Sequence, residues 1–134
     1  DDALSYGMQR KQFGQPIAEQ QLIQAMLADS YTEAYASETM TLDAARRRDL
    51  GENITKESSA CKLFCTEMVG RVADRAVQIH GGAGYMSEYA VERFYRDVRL
   101  FRLYEGTSQI QQIIIARNMI KEFSHLKWIF QKFF

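Results

Sequence analysis

The stretch that decides the fold is LIQAMLADSYTEAYASETMTL, residues 22–42. Its apolar and threonine side chains recur every three or four positions, which is the period of one face of an α-helix. These positions are Leu22, Ile23, Met26, Leu27, Tyr31, Ala34, Tyr35, Thr39 and Leu42. Three arginines at 46–48 follow, where cations are favourable at the negative end of a helix dipole. Because Gly51 is suited to ending a helix, the sequence predicts one long helix that stops just before it.

The segments on either side are also largely helical in pattern. A second long helix is predicted from Asn53 or Thr55 to the glycine pair 81–82, because two glycines interrupt a helix at substantial cost. Before the two long helices, the sequence predicts the end of a helix at 3–8 and a loop at 9–16. After them it predicts a glycine-rich turn at 81–87, a short helix at 88–95 and irregular or extended chain at 97–104. A last, shorter main helix is predicted from 106 to about 123. No strand-like alternation stands out. The predicted fold class is therefore all-α, an antiparallel up-and-down bundle of the four-helix type.

Composition narrows the possible functions. Lysine plus arginine and aspartate plus glutamate both number 17 in the 134 residues, which gives no electrostatic reason to expect nucleic acid or an anionic membrane as a partner. No apolar run is long enough to cross a bilayer. Cys61 and Cys65 lie four residues apart on one helix face, and neither His80 nor His125 has ligand spacing to them. No metal site is predicted, and the cysteines are expected to be buried free thiols, which suit a reducing compartment.

Three polar segments between the helices could carry chemistry. The first is RKQFGQPI, residues 10–17, whose arginine could hold a phosphate through two parallel hydrogen bonds or could be ordinary surface. The second is QIHGGAGY, residues 78–85, whose glycines could free backbone N–H groups for a ligand or could only end a helix. This second segment follows no strand and lacks a lysine with serine or threonine at its end, so it is neither a Walker nor a Rossmann loop.

The third polar segment is YEGTSQIQ, residues 104–111. In it a carboxylate, Glu105, stands between an aromatic residue and a glycine just before an apolar helix. Glu105 is therefore a candidate base, and Gly106 would let a substrate or cofactor approach closely. The plainer interpretation is a carboxylate that complements the helix dipole and caps the helix.

Taken together and in this order, these motifs resemble the acyl-CoA dehydrogenase family. The resemblance is to the C-terminal helical domain of the short- or medium-chain type and covers almost the whole chain. Its most specific stretches are R-K-x-F-G from Arg10, AVQIHGGAGY at 76–85, Arg96-Asp97, and YEGTSQI at 104–110. We therefore expect a domain at 1–123 that begins within its first helix, as a fragment of a longer enzyme, followed by a tail of uncertain origin at 124–134.

The resemblance implies an FAD cofactor that lies between the subunits of a homo-oligomer, a dimer or a tetramer. It assigns contacts with a neighbouring subunit's flavin nucleotide to Arg10, Phe13, Gln21, Gln78 and Gly82. It assigns contacts with the subunit's own FAD to Thr107 and Gln109. Glu105 matches the catalytic base, and its N–H group helps to polarise the substrate carbonyl, with Tyr104 and Gly106 also beside the substrate. The implied location is the bacterial cytoplasm or the mitochondrial matrix.

The implied reaction is the α,β-desaturation of an acyl-CoA thioester. Glu105 takes the α-proton, hydrogen bonds stabilise the enolate-like charge on the carbonyl oxygen, and a hydride passes from the β-carbon to the flavin. An acyl chain that excludes water would raise the pKa of Glu105, whereas the nearby helix N-terminus would oppose that shift. The implied electron acceptor is an electron-transferring flavoprotein. The alternatives are an acyl-CoA oxidase, which passes electrons to oxygen, and a helical module that has no active site and serves assembly.

Overall fold

The computed structural model describes the backbone of residues 1–133 and the side chains of residues 1–125. Within that range the α-helices are α1 (Asp2–Gln9), α2 (Gln21–Asp49), α3 (Thr55–His80), α4 (Ala90–Arg99) and α5 (Ser108–Phe133). Short 3-10 helices occupy Ile17–Glu19, Gly81–Tyr85 and Leu100–Arg102, and strands β1 (Lys11–Gln12) and β2 (Gln15–Pro16) form an antiparallel hairpin. The predicted all-α fold class is confirmed.

Helix α3 is the centre of the bundle, and α1, α2, α4 and α5 all contact it. Between α2 and α3, the Arg71 and Arg75 guanidinium groups each lie 2.7 Å from the Glu33 carboxylate. Between α3 and α5, the Lys56 ammonium lies 2.6 Å from the Glu122 carboxylate. Because residue numbers rise along one helix as they fall along its neighbour, both α2 and α5 run antiparallel to α3.

The charges around Glu33 favour its ionised form. Partial burial acts to raise the pKa of this carboxyl, but the hydrogen bonds and charges of Arg75 and Arg71 outweigh burial and lower the pKa below its ordinary value. The carboxylate therefore stays charged near neutral pH and fixes the crossing of α2 over α3.

The ends of the long helices lie where the sequence predicts them. The Asn53 side-chain oxygen accepts hydrogen bonds from the Thr55 N–H (3.1 Å) and hydroxyl (2.7 Å), at the start of α3. Helix α3 ends at His80, directly before the predicted glycine pair. Helix α2 ends at Asp49, two residues before Gly51.

Other predicted boundaries are wrong. Residues 9–16, predicted as a loop, contain the β1–β2 hairpin. The helix predicted at 88–95 begins at Ala90 and runs to Arg99, so the chain after Asp97 is helical where irregular or extended chain is predicted. Within this helix Arg96 pairs with Glu92 one turn earlier at 3.1 Å, a contact that adds modest support.

The last helix is longer than predicted. Helix α5 does not end near residue 123 but continues to Phe133, so it has 26 residues, as many as α3. Residues 124–133 of the predicted tail are therefore a continuation of α5. The side chains of residues 126–134, expected to add apolar surface, lie outside the described residues.

The chain buries few apolar side chains by itself. The buried ones among the described residues are Ile17, Ala44, Met68, Ala73, Ile79 and Val91. In contrast, part of the predicted apolar face of α2 is exposed, with exposed fractions of 79% for Leu22, 72% for Tyr31 and 62% for Leu42. Helix α2 therefore carries the predicted apolar side chains, but several of them are not packed against other parts of this chain. No helix among the described residues is long and apolar enough to span a membrane.

The cysteines are free, as predicted, although they are half-buried rather than buried. The Cys61 thiol donates to the Met40 carbonyl at 3.3 Å, and the Ser37 hydroxyl donates to the Cys65 sulfur at 3.0 Å. Burial, followed by the neighbouring Cys65 and Asp43 charges, raises the pKa of the Cys61 thiol. A raised pKa keeps the thiol protonated and chemically quiet at neutral pH.

Gly84 marks the tightest contact between the glycine-rich turn and α3. A Cβ at this position would lie 2.5 Å from the Val77 carbonyl oxygen and 2.9 Å from the His80 Cβ. We expect Gly84→Ala to destabilise the protein by about 1–3 kcal/mol, because backbone must move to admit the methyl group. The measurement is thermal unfolding by circular dichroism. Gly82→Ala is the control, since nothing lies within 4 Å of its added Cβ, and an equal loss in both variants would contradict the prediction.

Candidate functional site

The residues predicted to bind ligands fall into two groups. The first, which we call the hairpin group, consists of Arg10, Phe13, Gln21, Gln78 and Gly82. Its members come from the β1–β2 hairpin and the residue before it, from the start of α2, and from the end of α3 with the 3-10 helix that follows. The second, the Glu105 group, consists of residues 104–107 and 109, beside Lys62 on α3. The 1.5 Å rise of a helix places Lys62 and Gln78 about 24 Å apart along α3, so the two groups are separate.

An aromatic cluster around the buried His80 positions the hairpin group. The His80 ring stacks on the Tyr6 ring with centroids 4.2 Å apart, and Tyr89 meets Tyr6 edge-on at 5.8 Å. His80 is 5% exposed, and its Nδ1 donates to the Ala76 carbonyl at 2.8 Å. This cluster fixes α1, and with it the hairpin, against the end of α3. The only signal of this function in the sequence is the position of His80 directly before the glycine pair.

The hairpin presents an aromatic and a cationic side chain to the outside. Phe13 and Gly14 form its two-residue turn, with φ of 54° and 84°. A positive φ is rare for a bulky residue, and Phe13 is in addition 93% exposed. Arg10 precedes β1, and within the described residues no hydrogen bond or ion pair holds its guanidinium. This arrangement is suited to a ligand that offers an anionic group and an apolar surface.

The other three members of the hairpin group are polar or backbone positions nearby. Gln21 is the first residue of α2, and its side chain is exposed. Gln78 is exposed in the last turn of α3, and Gly82 lies in the 3-10 helix that follows. These positions share one end of the bundle with the hairpin, as a single extended ligand would require.

Glu105 occupies a strained turn before α5. Its φ is 54° and that of Gly106 is 86°, so two consecutive residues adopt left-handed backbone. The Glu105 side chain is exposed, and none of the described residues hydrogen-bonds or pairs with its carboxylate. Thr107 then caps α5, because its hydroxyl accepts from the Ile110 N–H at 3.3 Å. Thr107 therefore lies directly before α5, and the exposed Gln109 lies in its first turn.

Two side chains that the sequence analysis did not single out support this turn. The Lys62 ammonium donates to the Phe101 carbonyl at 2.8 Å and to the Gly106 carbonyl at 2.7 Å. The Gln111 amide donates to the Glu105 and Gly106 carbonyls, both at 3.3 Å. A Cβ on Gly106 would lie 2.8 Å from the Gln111 amide nitrogen, so glycine admits the amide at that position.

A third support comes from Glu67 on α3. Its carboxylate accepts from the Ser108 hydroxyl at 2.6 Å and pairs with the Arg102 guanidinium at 3.3 Å. Arg102 and Ser108 lie on the two sides of the Glu105 turn. The turn is therefore tied to α3 at its base, whereas the Glu105 carboxylate points away from these contacts into an exposed position.

A separate open groove of 690 Å³ lies between α3 and α4. It is lined by Glu67, Gly70, Arg71, Asp74, Arg75, Tyr95, Arg96, Val98, Arg99 and Arg102. None of the predicted ligand-binding residues belongs to it. Seven of these ten residues carry charged side chains.

Comparison with known proteins identifies relatives over most of the chain. Residues 1–120 match the family described as acyl-CoA dehydrogenase, C-terminal domain. The probable acyl-CoA dehydrogenase YngJ of Bacillus subtilis is 49% identical over 121 residues, which are 90% of this chain. The caffeyl-CoA reductase-Etf complex subunit CarC of Acetobacterium woodii is 46% identical over 122 residues, or 91% of the chain.

Solved structures agree with these relatives. Butyryl-CoA dehydrogenase from Megasphaera elsdenii superposes with a TM-score of 0.87 at 34% identity, covering 89% of this chain and 31% of that one. The FAD complex of PigA superposes with a TM-score of 0.84 at 27% identity, covering 87% of this chain and 30% of that one. The chain spans 32% of the length of both curated relatives.

Proposed function

This chain belongs to the acyl-CoA dehydrogenase family, and we propose that the protein carrying it is an FAD-dependent acyl-CoA dehydrogenase. The observation that carries the proposal is the Glu105 turn. An exposed carboxylate without a partner among the described residues stands on a strained backbone at the start of α5. Strain of this kind persists where the surrounding structure enforces it, and it is common at active sites.

In this proposal Glu105 removes the α-proton of an acyl-CoA thioester. Its backbone N–H group donates to the thioester carbonyl and stabilises the negative charge that develops there. Tyr104 and Gly106, on either side, line the substrate. The base must be within hydrogen-bond reach of the α-proton, so the fixed position of the turn matters as much as the carboxylate itself.

The hairpin group fits FAD. Arg10 offers a guanidinium without a partner among the described residues, which matches the geometry of a phosphate, and Phe13 offers an exposed ring. Gln21, Gln78 and Gly82 complete this group, while Thr107 and Gln109 would hold FAD beside Glu105. When bound, FAD supplies the acceptor for the hydride from the β-carbon. The residues of this chain orient the flavin and the substrate.

The distance between the two groups supports binding across a subunit boundary. The groups lie about 24 Å apart along α3, so we propose that each serves a different FAD of a homo-oligomer. The open apolar side chains of α2, such as Leu22 and Tyr31, would then be covered by the rest of the assembly. A dimer or a tetramer would bury these side chains between its subunits.

The electron partner and the direction of reaction follow from the relatives. The Acetobacterium woodii relative is named as a subunit of a reductase-Etf complex, which favours an electron-transferring flavoprotein as partner here. The same name favours a second candidate, a reductase that runs the reaction in reverse, with Glu105 returning a proton to the α-carbon.

The half-buried free thiols and the bacterial relatives favour the cytoplasm as the location of the protein.

The test uses the full-length protein. We expect it to purify with a flavin absorbance spectrum and to oxidise an acyl-CoA with an electron-transferring flavoprotein or a dye as acceptor. Faster turnover with oxygen would identify an oxidase, and net consumption of the enoyl-CoA would identify a reductase. If the full-length protein purifies without flavin and stays inactive after FAD is added, the remaining candidate is the helical module that has no active site and serves assembly.

The isolated 134-residue chain is expected to behave differently. It should be helical, should self-associate through its exposed apolar side chains, and should bind FAD weakly or not at all, because much of the ligand's burial is missing. Isothermal titration with FAD and a dye-reduction assay with a mid-length acyl-CoA measure this. Micromolar binding together with turnover would contradict the prediction.

A further inference from the structure

We propose that Lys62 is a positioning residue for Glu105, which it holds through the backbone of residues 101–106 without touching the substrate. The proposal rests on the proposed function, because that function makes Glu105 the base. Lys62 lies half-buried on α3, opposite the segment that leads into α5. Its ammonium donates to the Phe101 and Gly106 carbonyls at 2.8 and 2.7 Å.

One ammonium thus joins the two ends of the segment that carries Glu105. Hydrogen bonds from a charged donor are about twice as strong as those between neutral groups. Because both bonds come from the same nitrogen atom, they set the distance between the Phe101 and Gly106 carbonyls. Glu105 lies between these two anchor points, so both bonds restrict the movement of its backbone.

Gln111 completes the arrangement from the other side. It is 7% exposed, and its amide donates to the Glu105 and Gly106 carbonyls. The Gly106 carbonyl therefore accepts from both Lys62 and Gln111. A non-glycine residue at a φ of 54° relaxes unless its surroundings hold it, and these donors are what hold Glu105 there.

Positioning of this kind has a large effect on proton abstraction. A base displaced by about 1 Å from its working position can cost on the order of 10²-fold in rate. Loss of Lys62 should therefore reduce the chemical step and leave substrate and FAD bound. Loss of a purely structural lysine would instead lower the amount of folded, flavin-loaded protein, with normal turnover in what remains.

The test is Lys62→Met in the full-length protein, which keeps the side-chain stem and removes the donors. We expect kcat per bound flavin to fall roughly 10–100-fold, with KM within about twofold and flavin content unchanged. Lys62→Arg should restore only part of the rate, because a planar guanidinium does not reproduce the compact ammonium. The matched control is Lys56→Met, since Lys56 also reaches from α3 to α5 but pairs with the exposed Glu122.

A second measurement does not depend on activity. Hydrogen exchange followed by mass spectrometry should show faster exchange at residues 101–107 in Lys62→Met and in Gln111→Leu, and no change in Lys56→Met. Normal kcat per flavin or unchanged exchange in Lys62→Met would overturn the proposal. If Lys62→Met does not fold, Gln111→Leu decides by the same two criteria. Full activity of Glu105→Gln would reject the proposed function, because Glu105 would then not be the base. In that case the hydrogen-exchange measurement still tests whether Lys62 holds the backbone of residues 101–107.

Discussion

Replacing Glu105 by glutamine in the full-length protein is expected to lower turnover by on the order of 10²–10⁴, the typical contribution of a positioned base. Glutamine keeps the size of the side chain and removes its basicity. The carboxylate has no partner among the described residues, so its loss should disturb neither the turn nor the start of α5. The measurement is steady-state turnover of an acyl-CoA, normalised to bound flavin.

The design of this experiment separates chemistry from folding. Glu38→Gln removes an exposed carboxylate on α2 and should leave turnover unchanged. Flavin content and thermal unfolding of Glu105→Gln should match those of the unaltered protein. Near-normal turnover in Glu105→Gln would show that another group abstracts the proton and would contradict the assignment of Glu105 as the base.

Replacing Arg10 by alanine is expected to weaken FAD binding. Hydrogen bonds to charged groups contribute about 2 kcal/mol, which corresponds to roughly thirtyfold in Kd. Arg10→Lys should restore binding only in part, because lysine loses the planar fork that binds two phosphate oxygens at once. The structure leaves the Arg10 guanidinium available, since no described residue pairs with it.

Flavin content per subunit after gel filtration of the full-length protein checks this prediction. The matched control is Arg46→Ala, near the opposite end of α2, where the exposed guanidinium pairs only with Asp43 three residues earlier. That variant should keep its flavin. Unchanged flavin content in Arg10→Ala would remove this residue from the site.

The sequence by itself determined the helical elements and the motifs. The apolar period of residues 22–42 and the glycine pair after His80 depend on local geometry, so α2 and α3 lie close to their predicted positions. The hairpin was missed because Phe13-Gly14 lacks the Asn-Gly or Asp-Gly pair that marks such a turn. The sequence pattern does not reveal that α4 continues to Arg99.

Only the tertiary structure decided what surrounds each predicted residue. Lys62 and Gln111 are ordinary helix residues in sequence, and no local pattern reveals that both reach the carbonyls next to Glu105. His80 likewise acquires its partners only when α1 packs against α3. Spacing along one helix predicts which residues share a face, but the contacts of Lys62 with Phe101 and Gly106, 39 and 44 positions away, depend on how α3 packs against the segment before α5. The sequence could therefore name Glu105, whereas the tertiary structure placed Lys62 against its turn.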